Sequence, residues 1–243
     1  MENNEDRIVQ HEQEDRKRPL EWHRKMPWFV IAISALGLIV ILFAFVMEAR
    51  ANRQAARLES EQLHSSAIQT EINGLDWIEQ VLLTINPFSR SGRPLVEVNG
   101  IVIHNIGNPD TTALQNWGFF EGLAISEERH ASSNFIICLD GDIIQCIPVD
   151  EIAYASNHRN DDTLSIEVCH PDDTGKFTEE SYAAAVRLTA WLCVRYNLTS
   201  DDVIRHFDVQ GKECPRYFVD NEDAWEAFRA DVAREIERES ARN

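Results

Sequence analysis

Three side chains far apart in the sequence have the chemistry of a transition-metal site: His104, His206 and Cys214. His206 and Cys214 lie eight positions apart in the segment RHFDVQGKECP, which runs from Arg205 to Pro215. Its loop contains Gly211 and closes on Pro215, so an imidazole and a thiolate can converge on one ion. His104 adds a third donor at the end of the apolar run Ile101-Val102-Ile103, where a sheet presents side chains to a ligand crevice. Three protein ligands leave one position open for water, the arrangement of catalytic zinc, whereas structural sites close all four. A mixture of nitrogen and sulfur donors favours Zn2+ over magnesium or calcium, which take oxygen. Taken singly, each of these residues is ordinary; the combination is what points to metal.

The elements that must position these residues alternate between strand and helix patterns from Pro94 onward. Val96 to His104, Phe135 to Leu139, Asp142 to Ile147, Leu164 to Cys169 and Val203 to His206 read as strands, with Asp140-Gly141 as a two-residue hairpin turn. Glu179 to Tyr196 carries apolar residues at helical spacing, with Thr178 as N-cap and Asn197 as exit. A last helix covers Glu222 to about Glu237, with Trp225, Phe228, Val232 and Ile236 turned inward. The expected fold class is α/β, a central mixed sheet flanked by helices. Within it Ser165, Glu167 and Cys169 share one strand face.

The motifs IVIHN at 101–105, FII-x-x-DG at 135–141, SIEVC at 165–169 and H-x-D-x-x-G-K-x-CP at 206–215 resemble those of the zinc N-acetylmuramoyl-L-alanine amidases. That family is shared by phage lytic amidases and peptidoglycan recognition proteins, and the resemblance covers about residues 95–238. Stretches from IIQCIP at 143–148 through CHPDDTGKF at 169–177 are similar in particular to cell-wall amidases of Gram-positive bacteria and their phages. The resemblance implies a peptidoglycan recognition protein-like fold and cleavage of the amide between N-acetylmuramic acid and the L-alanine of the stem peptide. It also implies that His104, His206 and Cys214 hold the zinc. The ion would polarise the amide carbonyl and lower the pKa of a bound water to about 7. Glu167 matches the glutamate that acts on this water as general base and then as proton donor. Lys212 stands where family members carry a lysine near the metal, with the oxyanion of the tetrahedral intermediate as its target. Two positions depart from the pattern. Ser133-Asn134 replaces an aromatic or Tyr-His pair, and Ala155 replaces a histidine, with Asn157 and His158 as possible substitutes.

Ahead of this domain, Trp28 to Met47 is uncharged and apolar. In helical form these residues span roughly the 30 Å of a bilayer's hydrocarbon core. The run is longer than a signal-peptide core of about 7 to 15 residues and follows a long polar segment, which favours an uncleaved anchor. Arg16, Lys17, Arg18, Arg24 and Lys25 precede it and Arg50, Arg53 and Arg57 follow, so the N-terminus is expected in the cytoplasm and the bulk of the chain outside. The expected organisation is a disordered cytoplasmic tail over 1–27, a transmembrane helix over 28–47, an extracellular stalk and linker over 48–94, and the amidase domain over 95–243. The expected location is the cell membrane.

Forty-one acidic against 23 basic residues give a net charge of -18, which argues against a nucleic-acid partner and leaves peptidoglycan and its muropeptides, with the lipid bilayer at the anchor, as the expected partners. Cys138, Cys146, Cys169 and Cys193 sit among aliphatics and read as small buried residues, with a disulfide among them left open. Two other functions remain to be distinguished: a module that binds muropeptides without cutting them, and a zinc peptidase acting within the stem peptide. The first is disfavoured by the presence of Cys214, a ligand that non-cutting recognition proteins typically lack.

Overall fold

The structure is a computed structural model that describes residues 28–242, with side chains from Leu38 onward. The cytoplasmic tail expected over 1–27 lies outside the described residues. The described chain divides into two compact units between Ala55 and Ala56. The first helix, α1, runs over Trp28–Ile72 and crosses that division. Among the described residues no helix is long and apolar enough to cross a membrane. Of the apolar run expected to do so, residues 28–37 are described only as helical backbone.

In the second unit six strands form one sheet in the order β1-β4-β3-β5-β2-β6. These are β1 (Glu79–Gln80), β2 (Ile101–Asn105), β3 (Phe135–Ile137), β4 (Ile143–Gln145), β5 (Leu164–Val168) and β6 (Val203–Arg205). Pairing is parallel except between β3 and β4, the hairpin read from Asp140-Gly141. Gly141 adopts φ 88°, and a Cβ there would come within 2.9 Å of the Glu180 carbonyl oxygen, so the turn requires glycine.

Because strand side chains alternate, the sheet has two differently used faces. Ile101, Ile103, Phe135, Ile137, Ile166 and Val168 face the larger core with helices α3 (Glu179–Tyr196) and α6 (Glu222–Ser240). Helix α3 begins at the Thr178 cap and ends at Asn197 in the left-handed region, as its sequence indicates. Trp225 and Phe228 of α6 stack at 5.6 Å and close this layer. The opposite face carries Ile136 and Ile144 under helix α2 (Ala113–Ser126) and, further along the central strands, the polar residues of the site. Helix α2, absent from the sequence reading, starts on a capping box in which Thr112 and Gln115 each satisfy the other's backbone N–H.

The structure differs from the sequence reading at two places. β6 stops at Arg205, and His206 opens a short helix, α4 (His206–Gln210), because the Asp208 carboxylate accepts the Arg205 N–H at 2.8 Å and turns the chain. The segment over 48–94, read as stalk and linker, also supplies core: Ile68, Ile72 and Ile78 are buried in the larger cluster, and β1 extends the sheet. One more short helix, α5 (Arg216–Asp220), follows the Cys214-Pro215 turn.

Candidate metal centre

His104 occupies the fourth position of β2, and its register partner on β5 is Glu167. Both side chains therefore emerge from the same face of adjacent central strands. His206 reaches that face from the first residue of α4, and Cys214 from the loop beyond it, where the Phe207 N–H donates to the Cys214 carbonyl at 2.9 Å. The structure brings one donor atom from each of His104, His206 and Cys214 within 4.8 Å of the others. The His104 and His206 rings meet edge to face at 4.7 Å, and His104 Nδ1 lies 3.8 Å from Cys214 Sγ.

The outer ring nitrogens are already engaged. His104 Nε2 contacts Ser156 Oγ at 3.2 Å, while His206 Nε2 lies 3.0 Å from Asn157 Oδ1 and 3.1 Å from Gln210 Nε2. His206 Nδ1, by contrast, is buried and has no hydrogen-bond partner. A buried, unpartnered ring nitrogen beside a thiol and a second imidazole is the donor set that Zn2+ takes, so the residues fit the ion that their chemistry suggests.

Electrostatics point the same way. Burial, with His206 and Lys212 nearby, holds His104 well below its usual range, and burial with Lys212 brings His206 down to about 4. Both imidazoles are thus kept neutral, the form that binds metal. Burial and then Glu167 push the Cys214 thiol up to about 12. A bound dication reverses that preference, since a coordinating thiol is deprotonated outright. Burial raises Glu167 to about 8 against the opposing effect of Lys212, and its Oε2 is shielded from solvent without a partner.

One cleft of about 460 Å3 is lined by His104, His206, Glu167 and Lys212. Its other wall is formed by residues the sequence reading did not single out. His130 packs between Phe88 and Tyr154, with ring centroids 5.3 Å from each, and both His130 and Tyr154 line the cleft together with Arg129 and Phe120. The loop bearing His130 is tied to Tyr154 by paired contacts, Ser132 N–H to the Tyr154 carbonyl at 3.1 Å and Tyr154 N–H to Ser132 Oγ at 2.9 Å.

Residues 93–217 match the family described as N-acetylmuramoyl-L-alanine amidase. The chain belongs to this amidase family. A probable N-acetylmuramoyl-L-alanine amidase of Bacillus licheniformis is 32% identical over 160 residues, which are 61% of this chain and 45% of that protein. The amidase CwlL of the same organism is 31% identical over 160 residues, with 61% and 44% covered. The chain therefore spans about half the length of the curated relatives it matches. Among solved structures, a mutant endolysin from Bacillus subtilis has a TM-score of 0.55 at 24% identity, covering 64% of this chain and 97% of that one. The catalytic domain of XlyA likewise has a TM-score of 0.55 at 24% identity, covering 64% and 98%. These two likenesses establish the amidase fold.

Within this amidase-family domain the two departures noted in the sequence have different outcomes. Ser133 and Asn134 are buried away from the cleft and work structurally. Ser133 Oγ donates to the Ser165 carbonyl at 3.0 Å, and Asn134 Oδ1 accepts the Ser165 N–H at 3.0 Å, which fixes β5 two residues before Glu167. Asn157 lines the cleft beside Ala155 and contacts His206; His158 is not among the cleft residues. Cys138, Cys146, Cys169 and Cys193 are all free thiols.

Proposed function

We propose that this chain hydrolyses the amide between the lactyl group of N-acetylmuramic acid and the L-alanine of the peptidoglycan stem peptide, with zinc held by His104, His206 and Cys214. The observation that carries this reading is the convergence of those three donors at a cleft lined by His104, His206 and Glu167, whose buried carboxyl oxygen has no partner. When bound, zinc supplies Lewis acidity to the amide carbonyl and to water. Glu167 takes the proton of the attacking water and delivers it to the leaving amine. Lys212, at the exposed rim of the cleft, places an ammonium near the developing oxyanion. The wall of His130 and Tyr154 offers ring faces and edges to the substrate.

The test is incubation of the zinc-loaded chain with purified cell walls, followed by labelling of new amino termini. New termini on alanine support the reading; walls left without new amino termini by zinc-loaded protein contradict it.

We also infer that the chain is a single-pass membrane protein, anchored through Trp28 to Met47 with the amidase domain outside. The uncharged run and the excess of Lys and Arg before it support this topology. Resistance of the full chain to alkaline extraction, lost on deletion of 28–47, is the expected result. Full release of the intact chain by alkali contradicts it.

A further inference from the structure

His170, in the CHPDD stretch just after β5, takes no part in the metal triad, yet its ring is buried. Both of its nitrogens face backbone carbonyls. Nε2 lies 2.7 Å from the Ile106 oxygen and Nδ1 lies 2.7 Å from the Asp172 oxygen. A carbonyl oxygen only accepts, so each contact is a hydrogen bond when that ring nitrogen carries a hydrogen.

The adjacent Asn105 side chain belongs to the same network, with its Nδ2 3.2 Å from His170 Nε2. Its Oδ1 accepts the Arg216 N–H at 2.8 Å, so its Nδ2 is a donor, and it donates to the same Ile106 oxygen at 2.9 Å. That carbonyl thus lies within hydrogen-bond reach of both His170 Nε2 and Asn105 Nδ2.

The position of this carbonyl matters. Ile106 directly follows β2, two residues after His104, and its N–H continues the ladder to the Val168 carbonyl at 3.1 Å. Asn105 in turn grips the segment that carries Cys214, through the Arg216 N–H and through a 3.9 Å contact from Cys214 Sγ to its own carbonyl. Asn105-Ile106 is therefore the dipeptide at which the His104 strand and the Cys214 loop are joined, and His170 clamps it from behind without touching either ligand.

We propose that His170 is a positioning residue for the metal triad: by donating from Nε2 to the Ile106 carbonyl it sets the separation of His104 and Cys214, and with it the affinity for zinc. The proposal rests on zinc filling the triad and is independent of which bond the enzyme cuts.

The experiment measures the zinc Kd of the full chain in detergent by competition with a chromogenic chelator, for the native protein and for His170→Gln, His170→Asn and His170→Ala. A glutamine amide reaches the place of Nε2, whereas an asparagine amide reaches that of Nδ1. The expected result is a loss of affinity on the order of 10- to 100-fold in His170→Ala and His170→Asn, as for other partners one shell removed from a metal, with His170→Gln close to native. Metal-free melting temperatures of the Gln and Asn variants report folding separately. A purely structural role would lower affinity only in step with melting temperature and would not discriminate Gln from Asn. Native affinity in His170→Ala, or equal loss in His170→Gln and His170→Asn, overturns the proposal. If His170→Ala does not fold, the Gln and Asn pair decides alone. A native chain that binds no zinc overturns the metal reading itself, and the clamp with it.

Discussion

His104 and Glu167 are register partners on adjacent parallel strands, so a metal donor and a carboxyl group share one sheet face at the same level. Directly paired positions stand about 4.8 Å apart across a sheet. The proposed base is thus held beside the proposed metal site by backbone pairing, not by a flexible loop. This geometry separates residues whose loss removes the metal from residues whose loss leaves it in place.

Cys214→Ser falls in the first group. Serine is a poor zinc donor and leaves two imidazoles in a site built for three ligands. Zinc affinity is expected to fall by on the order of 100-fold, about 3 kcal/mol, in a chelator competition assay. Unchanged affinity would remove Cys214 from the ligand set.

Glu167→Gln falls in the second. It keeps shape and burial but can neither take nor return a proton, so zinc content is expected to remain near one per chain while turnover drops by about 10²- to 10⁴-fold. Full activity with zinc bound would remove Glu167 from the mechanism.

The same substitution has a consequence for the metal-free protein. Burial raises the folded carboxyl to about 8, whereas in the unfolded chain it titrates at about 4.3. Between those values the folded state holds a proton that the unfolded state has released, so this group's contribution to stability is lost as pH rises. In a chelating buffer, the melting temperature of Glu167→Gln minus that of the native protein is expected to be small near pH 4 and largest by about pH 8. A pH-independent difference would show that Glu167 is not desolvated. Taking the difference cancels the two histidines, whose lowered values act in the opposite direction below about pH 6.5.

Ser156 and Asn157 orient the two histidines through their outer nitrogens. Ser156→Ala and Asn157→Ala are each expected to weaken zinc binding about 10- to 100-fold without removing a ligand. Native affinity in both variants would mean that packing alone orients the rings.

Much of this site was legible in residue types and spacing. His104, Glu167, His206 and Cys214 sit in or beside short strands whose apolar runs are easy to read, and the structure brings them together. His130 and Tyr154 were not legible, because they meet only when the loop before β3 closes on the loop after β4, a tertiary event with no local pattern. Helix α2 was signalled by Thr112 and Gln115, but Gly118 and Gly122 dilute its helical pattern. Ile68 and Ile72 lie within a Glu- and Gln-rich stretch that reads as solvated, and only the completed sheet shows what they cover. The β-branched residues before His206 favour a strand that includes it; the carboxylate of Asp208 turns the chain one residue earlier.

The central claim concerns one bond, and hydrolysis in 18O-labelled water reads it directly. Zinc-loaded protein digesting cell walls in such water should release stem peptides that begin with unlabelled L-alanine and leave one 18O in the lactyl carboxylate of N-acetylmuramic acid, with both products formed about 10²- to 10⁴-fold more slowly by Glu167→Gln. Label found instead in a peptide carboxylate, with the muramoyl-alanine bond intact, would contradict the account and make the protein a peptidase.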